Sequence, residues 1–380
     1  MSFTNLGLPT TLVAALAKQQ YQLPFPIQKA AIPAILNKKN ILGIAKTGSG
    51  KTASFVLPIL SNLQGHKRTR NRHPLVLVVV PTRELAVQVG EVFNVFSKAL
   101  PDRIKTLAVY GGVSINPQMM AMNGVQVLVA TPGRLLDLVR SKAVQLAAVE
   151  TLVLDEADKM LNLGFKEEMN QILGLLPEKR QNLLFSATLS PDLDRLSAVL
   201  MKDPLVIKIE SATTDIDQIE QTSYLVAEEK KGPLLRYLIK TKQFKQVLVF
   251  TSSGYKADNV ANKLRKNGIK AAAIHGKKSQ SARNNALNQF KAGNLPVLVA
   301  TDLLSRGIDI TALPCVINYE LPRSPKDYIH RIGRTGRAEN SGIAFSFVSK
   351  DQMPHFKVIL KKAKLWVAMI DSATLDLKGY

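Results

Sequence analysis

The sequence predicts an α/β protein of two units, each built on a parallel sheet with helices on both faces. Its 380 residues exceed what one hydrophobic core ordinarily serves. Short runs of valine, isoleucine and leucine alternate with longer helical stretches, and strands that are apolar on both faces belong to parallel sheets covered on both sides. The alternation breaks at Ser211 to Gln218, a polar segment with neither helical nor strand period. The expected division is 1–210, a linker at 211–218, and 219–380.

From the N-terminus, Leu12 to Ala17 reads as part of an amphipathic helix; it is short and lacks a basic n-region, so a signal peptide is not expected. Ile41 to Ile44 reads as a strand and runs into Ala45-Lys46-Thr47-Gly48-Ser49-Gly50-Lys51-Thr52. A glycine-rich turn between strand and helix aims backbone N–H groups and the positive end of the helix dipole at one spot, which suits a polyphosphate. Lys51 would reach the β and γ phosphates and the Thr52 hydroxyl would ligate magnesium. Ala45 stands where such loops usually begin with glycine. Further strands are expected at Leu75 to Val80, Leu107 to Tyr110, Val125 to Ala130, Thr151 to Leu154 and Leu183 to Phe185. The run at Thr151 delivers Asp155-Glu156-Ala157-Asp158, in which Asp155 can hold the metal shell and Glu156 can polarise an attacking water. Two complementary halves in one chain, each at a strand end, point to hydrolysis of a nucleoside triphosphate.

The second unit repeats the pattern with Val247 to Phe250, Ala271 to Ile274, Val297 to Ala300, Val316 to Tyr319 and Ile343 to Val348. It reads as a degenerate copy of the first. Val247 to Phe250 also enters a small-residue turn, Thr251-Ser252-Ser253-Gly254, but no Gly-Lys-Thr follows, so one nucleotide site is expected, in the first unit. The run His330-Arg331-Ile332-Gly333-Arg334-Thr335-Gly336-Arg337 spaces guanidiniums three apart. A solvated basic face is the ordinary fate of such a cluster. The alternative is an arginine brought from another domain to a phosphoryl-transfer transition state, with Arg334 and Arg337 reaching the nucleotide only when the units close.

The composition narrows the class of partner. An apolar fraction of 46% indicates large cores. A formal charge of +22 favours nucleic acid, through counterion release from phosphates, with an acidic membrane surface or a merely soluble basic shell as alternatives. No apolar stretch approaches the length that spans a bilayer. The lone Cys315 excludes an internal disulfide and fits a reducing cytoplasm, and scattered histidines argue against structural zinc.

On these residues the chain resembles the DEAD-box RNA helicases, whose name-giving tetrapeptide is Asp155 to Asp158 itself. The resemblance runs from Phe3 to about Val348 with the motifs in the family's order. Within the family it is most similar to the bacterial RhlE type, from Tyr110-Gly111-Gly112-Val113-Ser114-Ile115-Asn116-Pro117-Gln118-Met119-Met120 and Gln181-Asn182-Leu183-Leu184-Phe185. The resemblance implies two RecA-like domains joined by a short linker, ATP with Mg2+, and a cytoplasmic monomer acting on RNA without regard to sequence. It implies that Gln28 reads the adenine edge, that Phe3 packs on the base, that the loop from Ala45 to Thr52 holds the phosphates, and that Asp309 contacts the ribose. Ser186-Ala187-Thr188 would link hydrolysis to strand separation, its hydroxyls bonding toward Asp158 and His330. RNA contacts are implied at Pro81, Thr82, Arg83, Gly112, Thr131 and Arg134 in the first unit, and at Thr251, Gly276, Gln280, Arg283 and Thr301 in the second. Hydroxyls, glycine amides and arginines bind phosphates rather than read bases.

The implied mechanism is local strand separation: ATP and RNA together close the units, one strand is held bent, and hydrolysis reopens the protein. Each base-pair step resists by about 1.4 kcal/mol, so short duplexes are the expected substrates. A clamp that locks on RNA with little unwinding is the alternative, and a DNA translocase a more distant one. Lys46, Phe25, Gln20 and the pair Leu304-Ser305 depart from the family's usual residues, glutamine, a hydroxyl residue, glycine and two small residues respectively. His66 to His73 is the densest basic run, a solvated loop or an auxiliary RNA attractor, and a lysine-rich stretch follows at Lys357 to Lys364.

Overall fold

The computed structural model describes residues 2–46, 48–66, 72–209, 219–302, 313–336 and 342–380. They belong to two compact units, Met1–Ser211 and Ala212–Tyr380.

The first unit carries β1 (Ile41–Ile44), β2 (Val76–Val79), β3 (Thr106–Val109), β4 (Val127–Ala130), β5 (Thr151–Leu154), β6 (Gln181–Ser186) and β7 (Leu205–Lys208). They form one seven-stranded sheet in the order β3-β4-β2-β5-β6-β1-β7, and the pairings are parallel throughout. Strands β1, β2, β4 and β5 are buried along their whole length, which is why they read as continuous apolar runs. One cluster of apolar side chains gathers around Phe55, Phe93 and Phe185, and a second around Leu77, Leu128 and Leu184. Gly43 in β1 lets a neighbour close in, since a Cβ there would meet the Phe185 ring at 2.6 Å.

The second unit carries β8 (Ile219–Leu225), β9 (Val247–Thr251), β10 (Ala271–Ile274), β11 (Val297–Thr301), β12 (Cys315–Asn318), β13 (Gly342–Val348) and β14 (Ala368–Asp371). Their order is β10-β11-β9-β12-β13-β8-β14, again seven strands and parallel. Laid against the first sheet, this order places β8 where β1 stands and β9 where β2 stands. The expected comparison of Val247 to Phe250 with the phosphate-loop strand is therefore corrected: the counterpart of β1 is β8. That strand, with β7 and β14, is absent from the sequence reading, although Leu205 to Ile207 and Leu365 to Ile370 are apolar runs. β8 mixes Glu220, Gln221 and Thr222 with apolar residues, and β7 and β14 are sheet edges with mostly exposed positions.

The helix beginning at Arg83 is capped by the Thr82 hydroxyl, which accepts from the Leu85 amide at 3.3 Å. Ser253, Ser279 and Ser324 cap helices of the second unit in the same way. In each sheet the polar loops that follow β-strands collect along the carboxyl-terminal edge, where open parallel sheets bind their ligands.

Candidate functional site

Beyond Ile44 the chain turns through Gly48 and Gly50, both at positive φ, and starts the helix Lys51–Asn62. Lys51 is buried, with its ammonium donating to the carbonyls of Ala45 and Lys46. Beside it, β5 ends in Asp155 and Glu156, and the short helix Ala157–Asn162 follows. Glu156 itself sits at φ +54, an uncommon conformation for a side-chain-bearing residue, which turns the chain sharply at the carboxylate pair.

The charges here are out of water. Burial first, and then the Glu156 carboxylate, push the Asp155 carboxyl up to about 6, while Lys51 pulls the other way. Burial pushes the Lys51 ammonium down, opposed by Asp155 and Glu156. Glu156 Oε1 is held by Lys159 Nζ at 2.5 Å, and Glu156 Oε2 and Ser49 Oγ are buried without a hydrogen-bond partner. A buried lysine, a carboxyl driven toward its neutral form and orphaned oxygens are what a polyphosphate with a divalent cation would satisfy. No three His, Cys, Asp or Glu side chains converge as a metal cage among the described residues. Magnesium suits such a place, being held by one or two protein groups plus substrate phosphates and water. Thr52 and Asp155 are the side chains that would hold it.

Gln28 is fully buried, and its amide does two things. Its oxygen accepts from the Phe25 backbone at 2.9 Å, and its nitrogen donates to the Gly50 carbonyl at 3.2 Å. Phe3 is packed by protein, edge to face with Tyr21 at 6.4 Å, and presents no open ring. The open aromatic at this place is Phe25, 49% exposed, lying against Gly50, where an added Cβ would meet its ring at 2.8 Å.

Thr188 Oγ1 donates to Asp158 Oδ2 at 2.7 Å, and Ser186 Oγ donates to the Thr188 carbonyl at 2.8 Å, so the end of β6 is tied to the acidic tetrapeptide. Pro81, Thr82 and Arg83 follow β2, Gly112 follows β3, and Thr131 and Arg134 follow β4, which puts them on three neighbouring strands of the carboxyl edge. Gly112 is at φ +74, and a Cβ there would overlap the Arg83 guanidinium. Arg134 Nη2 donates to the Val113 carbonyl at 2.8 Å, while its buried Nε and Nη1 make no hydrogen bond.

In the second unit Thr251 ends β9, Gly276 follows β10 and Thr301 ends β11, the strands that correspond by sheet order to β2, β3 and β4. Gly276 and Thr301 line a cavity of about 550 Å³ together with Ser252, Tyr255 and Arg323. Gln280 and Arg283 lie at the start of the helix Gln280–Lys291 and hydrogen-bond to each other. His330 and Arg334 occupy the end of the helix Pro325–Ile332 and the turn after it. Thr47, Asp309, Arg337, Leu304, Ser305, residues 67–71 of the basic loop and the segment 211–218 lie outside the described residues.

Two roles escaped the sequence reading. Lys159 fixes Glu156 from one helical turn away, a spacing visible in the sequence but indistinguishable from a surface pair. Arg331 is not a mobile cation: it is 2% exposed and grips Asp302 with two bonds, of 2.6 and 2.8 Å, and the Glu320 carbonyl with a third at 2.6 Å.

Comparison with known proteins accounts for this arrangement over most of the chain. The DEAD/DEAH box helicase family matches residues 25–196, and the helicase conserved C-terminal domain matches residues 229–339. The ATP-dependent RNA helicase DeaD of Buchnera aphidicola is 41% identical over 92% of this chain, which spans 57% of that relative's length. CshA of Bacillus cereus, a DEAD-box ATP-dependent RNA helicase, is 39% identical over 99% of this chain and 70% of its own. Among solved structures, S. cerevisiae Dbp5 bound to RNA and ADP BeF3 superposes with a TM-score of 0.86 at 30% identity, covering 98% of this chain and 96% of that one. The paired parallel sheets are thus RecA-like domains, and the chain belongs to the DEAD-box family of ATP-dependent RNA helicases.

Proposed function

We propose that the chain hydrolyses ATP in response to RNA and uses the cycle to separate or remodel short RNA duplexes, independent of base sequence. One observation carries the reading: on the first sheet, the buried set of Lys51, Asp155 and Glu156 stands at the ends of β1 and β5, directly beside the strand trio bearing Arg83, Gly112, Thr131 and Arg134. Nucleotide and strand would share one sheet edge, with Asp158 and Thr188 joined between them. Dbp5, bound to RNA and ADP BeF3, supports both ligands.

Lys51 and the loop amides from Ala45 to Thr52, Thr47 included, bind the phosphates, and Gln28 selects adenine. A magnesium ion held by Thr52 and Asp155 would neutralise charge on the transferring phosphoryl group. Glu156 orients the water and takes its proton, with Lys159 fixing the carboxylate. Arg334 and Arg337 add positive charge from 219–380, the companion of the ATP-binding 1–210, with 211–218 as the connection, and His330 meets Ser186 and Thr188 when the units close. Asp309 contacts the ribose. The second unit's Thr251, Gly276, Gln280, Arg283 and Thr301 extend the phosphate track. The protein acts as a cytoplasmic monomer, and its RhlE-type character rests on Tyr110 to Met120 and Gln181 to Phe185.

ATP turnover measured with matched RNA and DNA strands tests this. Stimulation by RNA alone is expected, and equal stimulation by DNA overturns the RNA reading. Glu156→Gln should still bind ATP and RNA while turnover falls about 100-fold or more. Strand displacement that fails with ATP although binding is tight would favour the clamp.

A further inference from the structure

The lysine-rich stretch near the C-terminal end of the second unit has no part in the mechanism above. Between Asp351 and Asp371 the sequence holds Lys357, Lys361, Lys362 and Lys364 and no acidic residue. The helix Met353–Ala363 turns Phe356 and Ile359 into the core and leaves Lys357, Lys361 and Lys362 exposed. Lys364 then takes a left-handed conformation, φ +56, and closes the helix through the Leu365 amide, which donates to the Leu360 carbonyl at 3.0 Å. Two residues later comes Trp366, 87% exposed, followed by the buried Val367, which anchors the start of edge strand β14. None of the four lysines has an ionic partner among the described residues.

An indole this open leaves a large apolar face in water, and single exposed apolar residues are common enough to carry no argument alone. The neighbouring charge changes that. Lys357 and Lys361 are one helical turn apart on one face, Lys362 and Lys364 continue the cationic surface to the turn, and the indole stands just past it, in the short connection to edge strand β14. Cations that track a backbone beside an aromatic platform are the two components of single-strand recognition: lysines meet phosphates and the ring stacks on a base. A helicase separating duplexes produces such strands. We propose that Trp366 with Lys357, Lys361, Lys362 and Lys364 forms an auxiliary site for single-stranded RNA, separate from the ATP-dependent strand track and engaged without nucleotide. It rests on the reading of the chain as an RNA-binding enzyme.

Trp366 is the chain's sole tryptophan, so its fluorescence reports on this site alone. The full chain, without nucleotide, is titrated with a single-stranded oligoribonucleotide while fluorescence and the anisotropy of a dye on the RNA are followed together. Saturable quenching that tracks anisotropy and weakens with salt is expected. Trp366→Ala should weaken nucleotide-free binding about tenfold, Trp366→Phe should retain most of it, and Lys361→Ser with Lys362→Ser should flatten the salt dependence. Basal ATP turnover should be unchanged in all three. Binding by anisotropy with no change in fluorescence, or equal affinity of Trp366→Ala and the parent, overturns the site; if the parent still binds RNA with a non-hydrolysable ATP analogue, the main reading stands. Absence of RNA binding with or without the analogue sinks both.

Discussion

Asp155 carries the clearest pH signature in the first unit. Its carboxyl is raised from the ordinary range to about 6 by burial and by Glu156, so the folded chain holds that proton where the unfolded chain has released it. The resulting penalty is absent below about pH 4, grows through the interval, and is complete above about pH 6, where it reaches about 3 kcal/mol. Asp155→Asn should therefore stabilise the ligand-free protein at pH 7.5, with the gain vanishing toward about pH 4, as read by urea unfolding across that range. Gly50→Ala should act in the opposite sense. It combines φ +86 with a Cβ that would displace Gln28 and Phe25, so a loss of about 1–2 kcal/mol in stability and a sharp loss of ATP affinity are expected by calorimetry. Lys46, at the position where the resemblance leads one to expect glutamine, would add a cation beside the phosphates of the proposed nucleotide site; Lys46→Gln should then weaken ATP binding and reduce its salt dependence in equilibrium titration. Residue types at strand ends made most of this site legible. The double use of the Gln28 amide was not, because a sequence records neither a side chain's partner nor which of two aromatics, Phe3 or Phe25, stays open.

At the level of elements, the two sheets share one strand order, and the informative difference lies after β1 and β8. Each is followed by a helix that begins with a buried lysine, Lys51 in one and Lys231 in the other. Lys231 already has a built-in anion, Glu228 at 2.8 Å, which also pairs with Lys256 at 2.6 Å. Partial burial alone would raise the Glu228 carboxyl, but hydrogen bonds and charge from Lys231 and Lys256 hold it below its usual value. The second unit thus has a carboxylate near the place where the first presents its glycine loop, which fits the proposal that nucleotide binds to the first unit alone. Glu228→Gln should cost about 1–3 kcal/mol in chemical unfolding, at the low end because the carboxylate is half exposed. The parallel strands with unbroken apolar runs were readable because burial on both faces demands them. β8 was not, since its polar positions mimic a loop, and with it went the correct correspondence between the halves.

For the whole molecule, the surplus of 22 positive charges is long-range, whereas the proposed RNA contacts are local. Affinity for RNA should therefore fall steeply with salt, linearly in the logarithms, with a slope that counts the phosphates neutralised. Each unit has its own sheet and its own apolar clusters, Phe55 and Leu77 belonging to those of one, Tyr224, Phe250 and Tyr328 to those of the other. Heat should accordingly melt the chain in two steps, and ATP alone should raise the step that belongs to the first unit. Self-sufficient halves can be traded. A hybrid that joins either one to the complementary half of a relative should remain a well-formed protein, and whatever it lost would be the conversation between its parts rather than the integrity of either.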